Sequence, residues 1–494
     1  MNRIKYMLGF AAICFSFSAG AQQSRKKLNA VKPNVIMIYV DDLGYGDLSC
    51  YGAEVIKTPN TDKLAKNGLM FTNGHSTSAT CTPSRYALMS GEYPWREKGR
   101  NILPGDAALI VSPEKATLPK VFKKAGYSTG IVGKWHLGLG DQVSKDWNAD
   151  IKPGPNEVGF DYSFIFPATA DRVPTVFMEN HKVIGLDPLD SIFVSYKSKV
   201  GNEPTGKENP ELLKLAASVG HNQTIVNGIG RIGFMQGGKK TRWTDEELAS
   251  TFLSKAEDFI EGNKDKPFFL FYALHNIHVP RMPSTMFKGK SVLGYRGDAI
   301  LEMDWVVGEL TNQLDKLGLT DNTIIIFSSD NGPVLDDGYA DEAELKNGEH
   351  KPAGPYRGWK TDVYEGGTRV PFIVTWPGKI KPGVSSAMVN QMDLLASFSS
   401  FFKQSIPMDE AKDSENIWPA LTGNSKTGRV TMVEEGYSNL AIVNGNWKYI
   451  PPFGKSTDQL YNLNDDPAER ENLATKHPEK IKELNDMLKK IKQN

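Results

Sequence analysis

The sequence predicts an α/β fold: a large, mainly parallel sheet sandwiched by helices, followed by a smaller C-terminal α+β domain with an antiparallel sheet. Apolar, β-branched runs alternate with helical runs through most of the chain. Strands that are apolar throughout are typical of parallel sheets buried on both faces. After about residue 402 the pattern changes to short strands in close succession. We therefore place one domain at residues 32–402 and a second at residues 403–494, which suits a chain of 494 residues.

The first elements of the large domain are read from apolar runs and helix stops. Residues 34–40 form an apolar strand. Helices at residues 61–67 and 118–125 each precede a glycine, which ends helices readily. Residues 128–132 form the next strand, so a strand and helix alternation is established early.

The same alternation continues in the second half of the large domain. Residues 244–247 read as a capping box that opens a helix, because the apolar residues that follow recur at helical spacing. A buried strand is predicted at 267–274, an amphipathic helix at 298–317, and further strands at 323–328 and 371–376. The apolar face of the capped helix comprises Leu248, Phe252, Ala256, Phe259 and Ile260.

Two regions depart from this pattern. Residues 166–238 are poor in periodicity and rich in Gly, Pro and polar residues, and we interpret them as long surface loops near a site entrance. The C-terminal domain has short strands at 430–434, 440–443 and 447–450, and it ends in a lysine-rich amphipathic helix at 481–491.

The N-terminus has the features of a secretory signal peptide at residues 1–21. Arg3 and Lys5 precede a short apolar run, and Ala19-Gly20-Ala21 provides a cleavage site of small residues. The apolar run is too short to span a bilayer, and no later segment of the sequence is apolar for long enough. We expect an exported protein without a membrane span, periplasmic or secreted, with lipidation at Cys14 left open.

The charge balance and the cysteines exclude several classes of function. The chain has 58 basic and 58 acidic residues, and removal of the signal peptide leaves a net charge of −2. That balance does not favour nucleic acid or an anionic membrane as a partner, so any anion preference must come from a local site. Only Cys50 and Cys81 remain in the mature chain, which excludes a disulfide framework. A single bridge between them stays open and would block chemistry at Cys81.

A compact anion site is predicted around Cys81, in the run C-T-P-S-R-Y-A-L-M-S-G at residues 81–91. Pro83 suits the first turn of a helix, where free backbone N–H groups point toward an anion. Arg85 adds a permanent positive charge one turn into the helix. A nucleophile held against such a cradle favours chemistry on a sulfate or phosphate ester.

Polar residues also follow four of the predicted strands. The carboxyl ends of parallel strands share one edge of a sheet, so we expect these groups to converge. Three carboxylates and one amide suit a hard cation such as calcium better than zinc, although such pairs also cap turns. The two histidines, three residues apart, leave zinc as an alternative that lacks ligands at the right spacing. The groups are Asp41-Asp42, Lys134 with His136, His275 with His278, and Asp330-Asn331.

These segments resemble the motifs of the type I sulfatases. The run at Cys81 is similar to the family signature C-x-P-S-R followed by L-x-T-G, with Ser90 in place of the usual threonine and Glu92 in place of a basic residue. The resemblance extends over residues 32–473 and implies an alkaline-phosphatase-like fold with a smaller C-terminal domain. The other matching segments are G-K-W-H-L-G at 133–138, H-x-x-H-x-P at 275–280, and the block at 357–371.

The resemblance implies a modified cysteine and one calcium ion. Cys81 would be oxidised to formylglycine by a sulfatase-maturating enzyme, and the hydrated aldehyde would attack sulfur. Lys134 and Lys360 would bind the sulfate, His278 would protonate the departing alcohol, and His136 would deprotonate the second hydroxyl to expel sulfate. The implied catalytic residues are Cys81, Arg85, Lys134, His136, His278 and Lys360. The implied metal ligands are Asp41, Asp42, Asp330, Asn331 and modified Cys81.

The resemblance further implies an exo-acting carbohydrate sulfatase. The blocks at 336–339 and 352–355 are similar to branches acting on sulfated galactose or N-acetylgalactosamine, in a glycosaminoglycan, mucin or algal glycan. Apart from the resemblance, we predict that His221 is structural or exposed. Two alternatives stay open: a phosphodiesterase or phosphatase of the same superfamily, and a glycan-binding relative without catalysis. The predicted substrate contacts are Thr169, His350 and Arg357.

Overall fold

The computed structural model describes residues 32–143 and 145–493, and ten of its strands form one sheet. The predicted signal peptide and Cys14 lie outside the described residues. In chain order the strands are β1 (Asn34–Val40), β2 (Leu69–Phe71), β3 (Gly74–His75), β4 (Ser128–Lys134), β5 (Tyr162–Phe166), β6 (Met178–Glu179), β7 (Lys182–Val183), β8 (Phe193–Ser195), β9 (Ile225–Val226), β10 (Ile229–Gly230), β11 (Phe234–Gln236), β12 (Phe268–Ala273), β13 (Thr323–Ser329), β14 (Phe372–Thr375), β15 (Gly383–Ser385), β16 (Val389–Asn390), β17 (Thr431–Glu435), β18 (Leu440–Asn444), β19 (Trp447–Ile450) and β20 (Gln459–Asn462).

The large sheet is mixed, with a parallel centre. Its order is β15-β2-β14-β13-β1-β12-β4-β5-β6-β7. The neighbours from β13 to β5 pair in parallel, whereas β14 runs antiparallel to β13. The helices are α1 (Pro59–Asn67), α2 (Cys81–Ser90), α3 (Leu118–Lys124), α4 (Pro155–Val158), α5 (Leu248–Asn263), α6 (Gly294–Lys316), α7 (Ala343–Lys346), α8 (Glu365–Thr368), α9 (Leu394–Phe401), α10 (Trp418–Leu421) and α11 (Pro478–Gln493).

Strand β1 shows why the sheet lies at the centre of the molecule. All seven of its residues are buried. Odd-numbered residues from Val35 to Tyr39 pack into the core that contains Phe122 of α3, and even-numbered residues from Ile36 to Val40 pack into the core that contains Phe252 of α5. Because alternate side chains of a strand point to opposite faces, a strand that is apolar throughout requires a covering layer on both sides. The predicted α/β fold is confirmed.

The C-terminal part is a second, smaller sheet in the order β17-β18-β19-β20, with all its pairs antiparallel. Helix α11 packs onto it through Leu484 and Leu488, as the sequence predicted for an α+β arrangement. Residues Pro33–Asn494 make one compact unit, so the boundary between residues 402 and 403 stays a prediction. Among the described residues, no helix is both long enough and apolar enough to cross a bilayer.

The predicted capping box at residues 244–247 is wrong. Asp245–Glu247 form a 3-10 turn, α5 begins only at Leu248, and the Thr244 side chain makes no capping hydrogen bond. The reason is tertiary: the buried Asp245 carboxylate accepts hydrogen bonds from Arg231 at 2.9 and 2.6 Å, which fixes the turn in another geometry. The helix predicted at 298–317 begins earlier, at Gly294.

Candidate active site

The strand-end groups and Cys81 converge at the carboxyl edge of the parallel strands. Asp41 and Asp42 directly follow β1, Lys134 is the last residue of β4, and Asp330 directly follows β13. Lys134 Nζ donates to Asp41 Oδ2 at 2.6 Å and lies 3.9 Å from Asp330 Oδ2. Cys81 opens α2, which brings its thiol to the same place from a helix outside the sheet. Segments far apart in sequence thus contribute to one cluster.

Cys81 is a free, buried thiol in a cationic setting. Every residue of α2 is buried, and both Cys50 and Cys81 are free, so the structure does not contain the bridge left open above. Burial raises the pKa of the Cys81 thiol, and the nearby ammonium groups of Lys134 and Lys360 act in the opposite direction. Burial therefore disfavours the thiolate overall, while the two ammonium groups attract negative charge to this position.

His136 faces the thiol with a defined nitrogen. Its Nε2 lies 2.9 Å from the carbonyl oxygen of Leu103, which can only accept a hydrogen bond, so Nε2 carries the proton. The lone pair of Nδ1 then lies 3.3 Å from Cys81 Sγ. Burial, followed by the positive charge of Lys134, holds the pKa of His136 well below its ordinary value. The side chain is thus a neutral base in the unliganded protein.

Lys360 and His278 lie on the other side of the cluster. Lys360 Nζ donates to Asp42 Oδ2 at 2.8 Å and to Asp337 Oδ2 at 2.7 Å. His278 places Nε2 3.8 Å from Asp42 Oδ2 and 3.7 Å from Asp337 Oδ2, while its Nδ1 bonds to the carbonyl of Val279. Burial, followed by the charge of Lys360, lowers the pKa of His278 well below its ordinary value.

The acidic residues form a cluster whose free oxygens fit a hard cation. Asn331 donates to Asp42 Oδ1 at 2.8 Å, and the Asp42 N–H donates to Asp330 Oδ1 at 3.2 Å. The buried Oδ1 atoms of Asp41 and Asn331 have no hydrogen-bond partner among the described residues. Burial raises the pKa of Asp41 well above its ordinary value, although Lys134 opposes the shift. A divalent cation would satisfy both oxygens and favour the ionised carboxylates, which are the ligands that calcium prefers.

Arg85 links the acidic cluster to α2. Its Nε donates to Asp330 Oδ2 at 2.9 Å, and its guanidinium also bonds to the carbonyl of Lys134. His275, by contrast, packs against the ring of Phe252 in α5. The candidate metal group at this site contains His278 with Asp41 and Asp42, so the two histidines do not form the zinc pair considered above.

A cavity of ≈ 280 Å³ opens onto Cys81. Its lining includes the positive side chains of Arg172 and Lys360 and the carboxylates of Asp171, Asp336 and Asp337. Most of the lining side chains are polar or charged, which suits a small polar ligand. The lining residues are Cys81, Ile102, Asp171, Arg172, His221, Ile232, His278, Val334, Asp336, Asp337, Lys360 and Thr361.

Several of these lining residues were not among the predicted site residues. Asp171 accepts from Arg172 Nη1 at 2.8 Å and lies 2.9 Å from His221 Nε2, so the three form one hydrogen-bonded group. Thr169 lies beside this group, with its hydroxyl bonded to Arg172 at 2.6 Å and to the Asp171 carboxylate. The available signal was the Asp171-Arg172 pair immediately after Thr169, but His221 lies 50 residues further on in a region without periodicity.

The structure places His350 and Arg357 away from Cys81. His350 bonds through Nε2 to Asp47 Oδ1 at 2.8 Å and lines a separate cavity of ≈ 410 Å³. Arg357 stacks on the ring of Tyr364 at 3.9 Å and donates to the carbonyl of Glu469. Neither side chain lines the Cys81 cavity, so a direct contact with the reacting sugar has no support from this geometry.

Comparison with known proteins identifies the family of this chain. The sequence profile of the Sulfatase family matches residues 33–403. The chain belongs to the sulfatase family. It is therefore a sulfuric ester hydrolase, and the phosphodiesterase and non-catalytic alternatives are not favoured.

Individual relatives cover almost the whole chain. An N-acetylgalactosamine-6-O-sulfatase of Bacteroides thetaiotaomicron is 50% identical over 479 residues, which is 94% of each chain. Human steryl-sulfatase is 31% identical over 426 residues, covering 80% of this chain and 71% of the relative. A solved Bacteroides thetaiotaomicron structure, described under the metabolism of multiple glycosaminoglycans, superposes with a TM-score of 0.93 at 50% identity, covering 94% of this chain and all of that one.

Proposed function

We propose that this chain removes the 6-O-sulfate from N-acetylgalactosamine or galactose at the end of a glycan, acting as an exo-sulfatase. The observation that carries the proposal is Cys81 at the wall of a polar cavity of ≈ 280 Å³ that Lys360 also lines, with the charges of Lys134 and Lys360 opposing the rise in the pKa of its thiol. The 6-O position and the sugar are supported by the 50% identity to the N-acetylgalactosamine-6-O-sulfatase.

The chain's own cations would hold the sulfate. Lys134, Lys360 and Arg85 are buried around Cys81, and their fixed charges stabilise negative charge that develops on the sulfate oxygens. When the Cys81 thiol has been oxidised to formylglycine, the hydrated aldehyde supplies one hydroxyl for attack on sulfur and a second whose deprotonation releases sulfate. The aspartate partners of the two lysines hold both ammonium groups in place.

Two histidines would move the protons. His136 presents the lone pair of Nδ1 toward position 81, so it is placed to accept a proton there. His278 faces the opposite side of the cavity with Nε2 and is placed to give a proton to the departing sugar oxygen. Bound sulfate would raise the pKa of His278 by its negative charge, which favours the protonated form needed for this step.

We propose one calcium ion held by Asp41, Asp42, Asp330, Asn331 and the oxidised side chain of residue 81. The unpartnered oxygens of Asp41 and Asn331 support this assignment. Bound there, the ion would offset the negative charge of the ester. Thr169 would act indirectly, because its hydroxyl orients Arg172.

The group formed by Asp171, Arg172 and His221 would recognise the sugar. Asp171 is almost fully buried and bonds to both partners, so its carboxylate is fixed in position at the cavity wall. A carboxylate beside a guanidinium offers adjacent acceptors and donors for sugar hydroxyls. A site built to bond a hydroxyl discriminates strongly against a sugar that does not present it.

Export and maturation complete the proposal. Arg3, Lys5 and the Ala19-Gly20-Ala21 segment support cleavage of a signal peptide and a periplasmic or secreted location. A sulfatase-maturating enzyme would act on Cys81 before the chain folds, because the thiol is inaccessible in the folded protein.

The test is an assay of matured protein on a matched panel of sugars. We expect turnover of 6-sulfated N-acetylgalactosamine and galactose, with much slower turnover of 4-sulfated N-acetylgalactosamine and 6-sulfated N-acetylglucosamine. Mass spectrometry of the peptide containing residue 81 measures the formylglycine fraction in the same sample. Cys81→Ala should be inactive; full activity in that variant, or a phosphate ester turned over faster than the sulfate ester, would refute the proposal.

A further inference from the structure

A turn of the C-terminal sheet contacts the backbone next to two residues of the proposed site. The Thr361 N–H donates to the carbonyl of Ala79 at 2.8 Å, and the Thr361 carbonyl accepts from the Tyr437 N–H at 2.8 Å. The Ala79 N–H in turn donates to the carbonyl of Glu435 at 2.7 Å. Thr361 directly follows Lys360, and Ala79 lies two residues before Cys81. One hairpin, between β17 and β18, therefore joins the segment that carries Lys360 to the segment that carries Cys81.

The local conformation at this contact is unusual and tightly packed. Thr361 has φ +81°, a region that β-branched residues rarely adopt, so its surroundings must hold it there. Gly436 in the hairpin allows the close approach, because a Cβ there would lie 3.1 Å from the Thr361 carbonyl oxygen and 3.0 Å from the Val363 nitrogen. The hairpin is thus seated directly on the backbone at Thr361 and Val363.

A buried ion cluster holds the same segments from a second side. Lys448 of β19 has no exposed side-chain surface and lies 2.9 Å from Glu365, 2.9 Å from Glu434 and 3.2 Å from Glu469. Glu434 also bonds to His75 at 2.9 Å, and the Glu365 N–H donates to Glu469 Oε2 at 2.7 Å. Since Glu365 lies five residues after Lys360, and Glu434 directly precedes Glu435, the cluster fixes both flanks of the hairpin contact.

We propose that Lys448 and the β17–β18 hairpin are positioning elements that set the distance between Lys360 and residue 81. The C-terminal sheet then acts as part of the active-site wall, since Thr361 itself lines the cavity. Small displacements of a catalytic group reduce rates strongly, so a shift of the Lys360 segment should affect turnover even when the protein stays folded. This inference rests on the proposed function through the role of Lys360.

The ion cluster is tested with a double-mutant cycle. Lys448→Met is combined with Glu434→Gln to limit uncompensated charge, and kcat/KM is measured with and without Lys360→Ala. We expect a loss of about tenfold or more with Lys360 present and less than about threefold with Lys360→Ala, because the cluster acts through Lys360. Equal losses in both backgrounds would overturn the positioning role. Full activity of Lys360→Ala alone would instead contradict the proposed function.

Two further comparisons separate positioning from stability. Leu488→Ala weakens the packing of α11 on the same sheet without contacting the ion cluster, so it should lower the melting temperature and leave kcat/KM unchanged.

Tyr437→Pro removes the N–H that bonds to Thr361, whereas Tyr437→Ala keeps it. We expect a loss of kcat of about fivefold or more for the proline variant only. Equal activity of the two Tyr437 variants would overturn the positioning role of the hairpin. This test does not depend on whether the Lys448 variants fold.

Discussion

Lys134 has no exposed side-chain surface, and its ammonium group lies 2.6 Å from Asp41. A lysine in this setting is already desolvated and oriented before an anion arrives. Binding a sulfate oxygen therefore carries no further free-energy cost for desolvating or ordering the side chain. Lys360 is held in the same way by Asp42 and Asp337. The two cations are therefore preorganised from separate elements.

Replacing Lys134 with Met should lower kcat/KM for the sulfated sugar about 10²- to 10³-fold, because one of the preorganised charges proposed to hold the sulfate is lost. Asp41 then keeps an uncompensated charge, so thermal melting should be recorded beside the kinetics. Lys182→Met is the matched control, since that lysine pairs with Asp150 at the surface. A Lys134→Met enzyme within threefold of wild type would show that Lys134 does not contact the ester.

Asp171→Asn should act on sugar recognition more than on the chemistry. The amide keeps the shape but removes the charge that pairs with Arg172 and His221, so we expect turnover of the sulfated monosaccharide to fall about 10²-fold or more. Hydrolysis of a simple aryl sulfate, which has no sugar hydroxyls, should fall less than about threefold. Asp187→Asn, at an exposed surface ion pair, is the control. Equal losses on both substrates would assign Asp171 to the reaction itself.

The sequence was informative about residues whose position follows from a strand end. Asp41, Lys134 and Asp330 were predicted to converge because each directly follows or ends a parallel strand, and they do. His221 was predicted to be structural or exposed, yet it lines the cavity. It reaches Asp171 from a loop 50 residues away, and no local pattern encodes a contact between two loops.

At the scale of elements, β4 brings Lys134 to the edge of the sheet through an unusual backbone conformation at Gly133, the residue before it. Gly133 has φ +114°, and a Cβ at this position would lie 1.9 Å from the backbone oxygen of Ala273 in β12. The contacting oxygen belongs to the backbone and cannot move aside as a flexible side chain would. With an alanine at position 133, β4 and β12 could therefore not keep their present spacing. The glycine therefore permits the close contact that sets the direction of Lys134.

Gly133→Ala should destabilise the fold by more than about 1 kcal/mol, because both the backbone conformation and the space are unsuited to a side chain. Gly262→Ala is the matched control: a Cβ there meets nothing within 4 Å, and the residue lies inside α5. The control should be stabilised by about 0.5–1 kcal/mol. Urea denaturation measures both changes, and equal stabilities of the two variants would contradict the account of β4.

Elements whose ends depend on tertiary contacts were predicted less well. The apolar face of α5 was predicted correctly, and all five of its residues are buried. Its predicted start was wrong: the Thr244 side chain makes no capping hydrogen bond, and the neighbouring Asp245 carboxylate is held by Arg231. Periodicity reports which face of a helix is buried, whereas the start of a helix depends on which partner its first polar residues find.

For the whole molecule, the sequence predicted the two sheets but not the contacts between them. The change of pattern after residue 402 correctly indicated a second sheet. The ion cluster at Lys448 could not be predicted, because its carboxylates come from β17, the segment after Lys360 and the turn at Glu469, which share no motif. Contacts between parts of a chain that are far apart in sequence are set by packing, and local pattern carries little information about them.

Removal of the metal tests the site through the stability of the whole molecule. Binding to the folded state alone adds RT ln(1 + [L]/Kd), or about 2.7 kcal/mol at a hundredfold excess over Kd. We expect EDTA dialysis to lower the melting temperature by several degrees, and calcium to restore it better than magnesium, which keeps its water ligands and demands octahedral geometry. Asp330→Asn should abolish this response, because it removes one of the three proposed carboxylate ligands and leaves Asp41 and Asp42 as the charged pair. Elemental analysis confirms that the ion has been removed. If the melting temperature is then unchanged, the cation binds elsewhere or has no structural role.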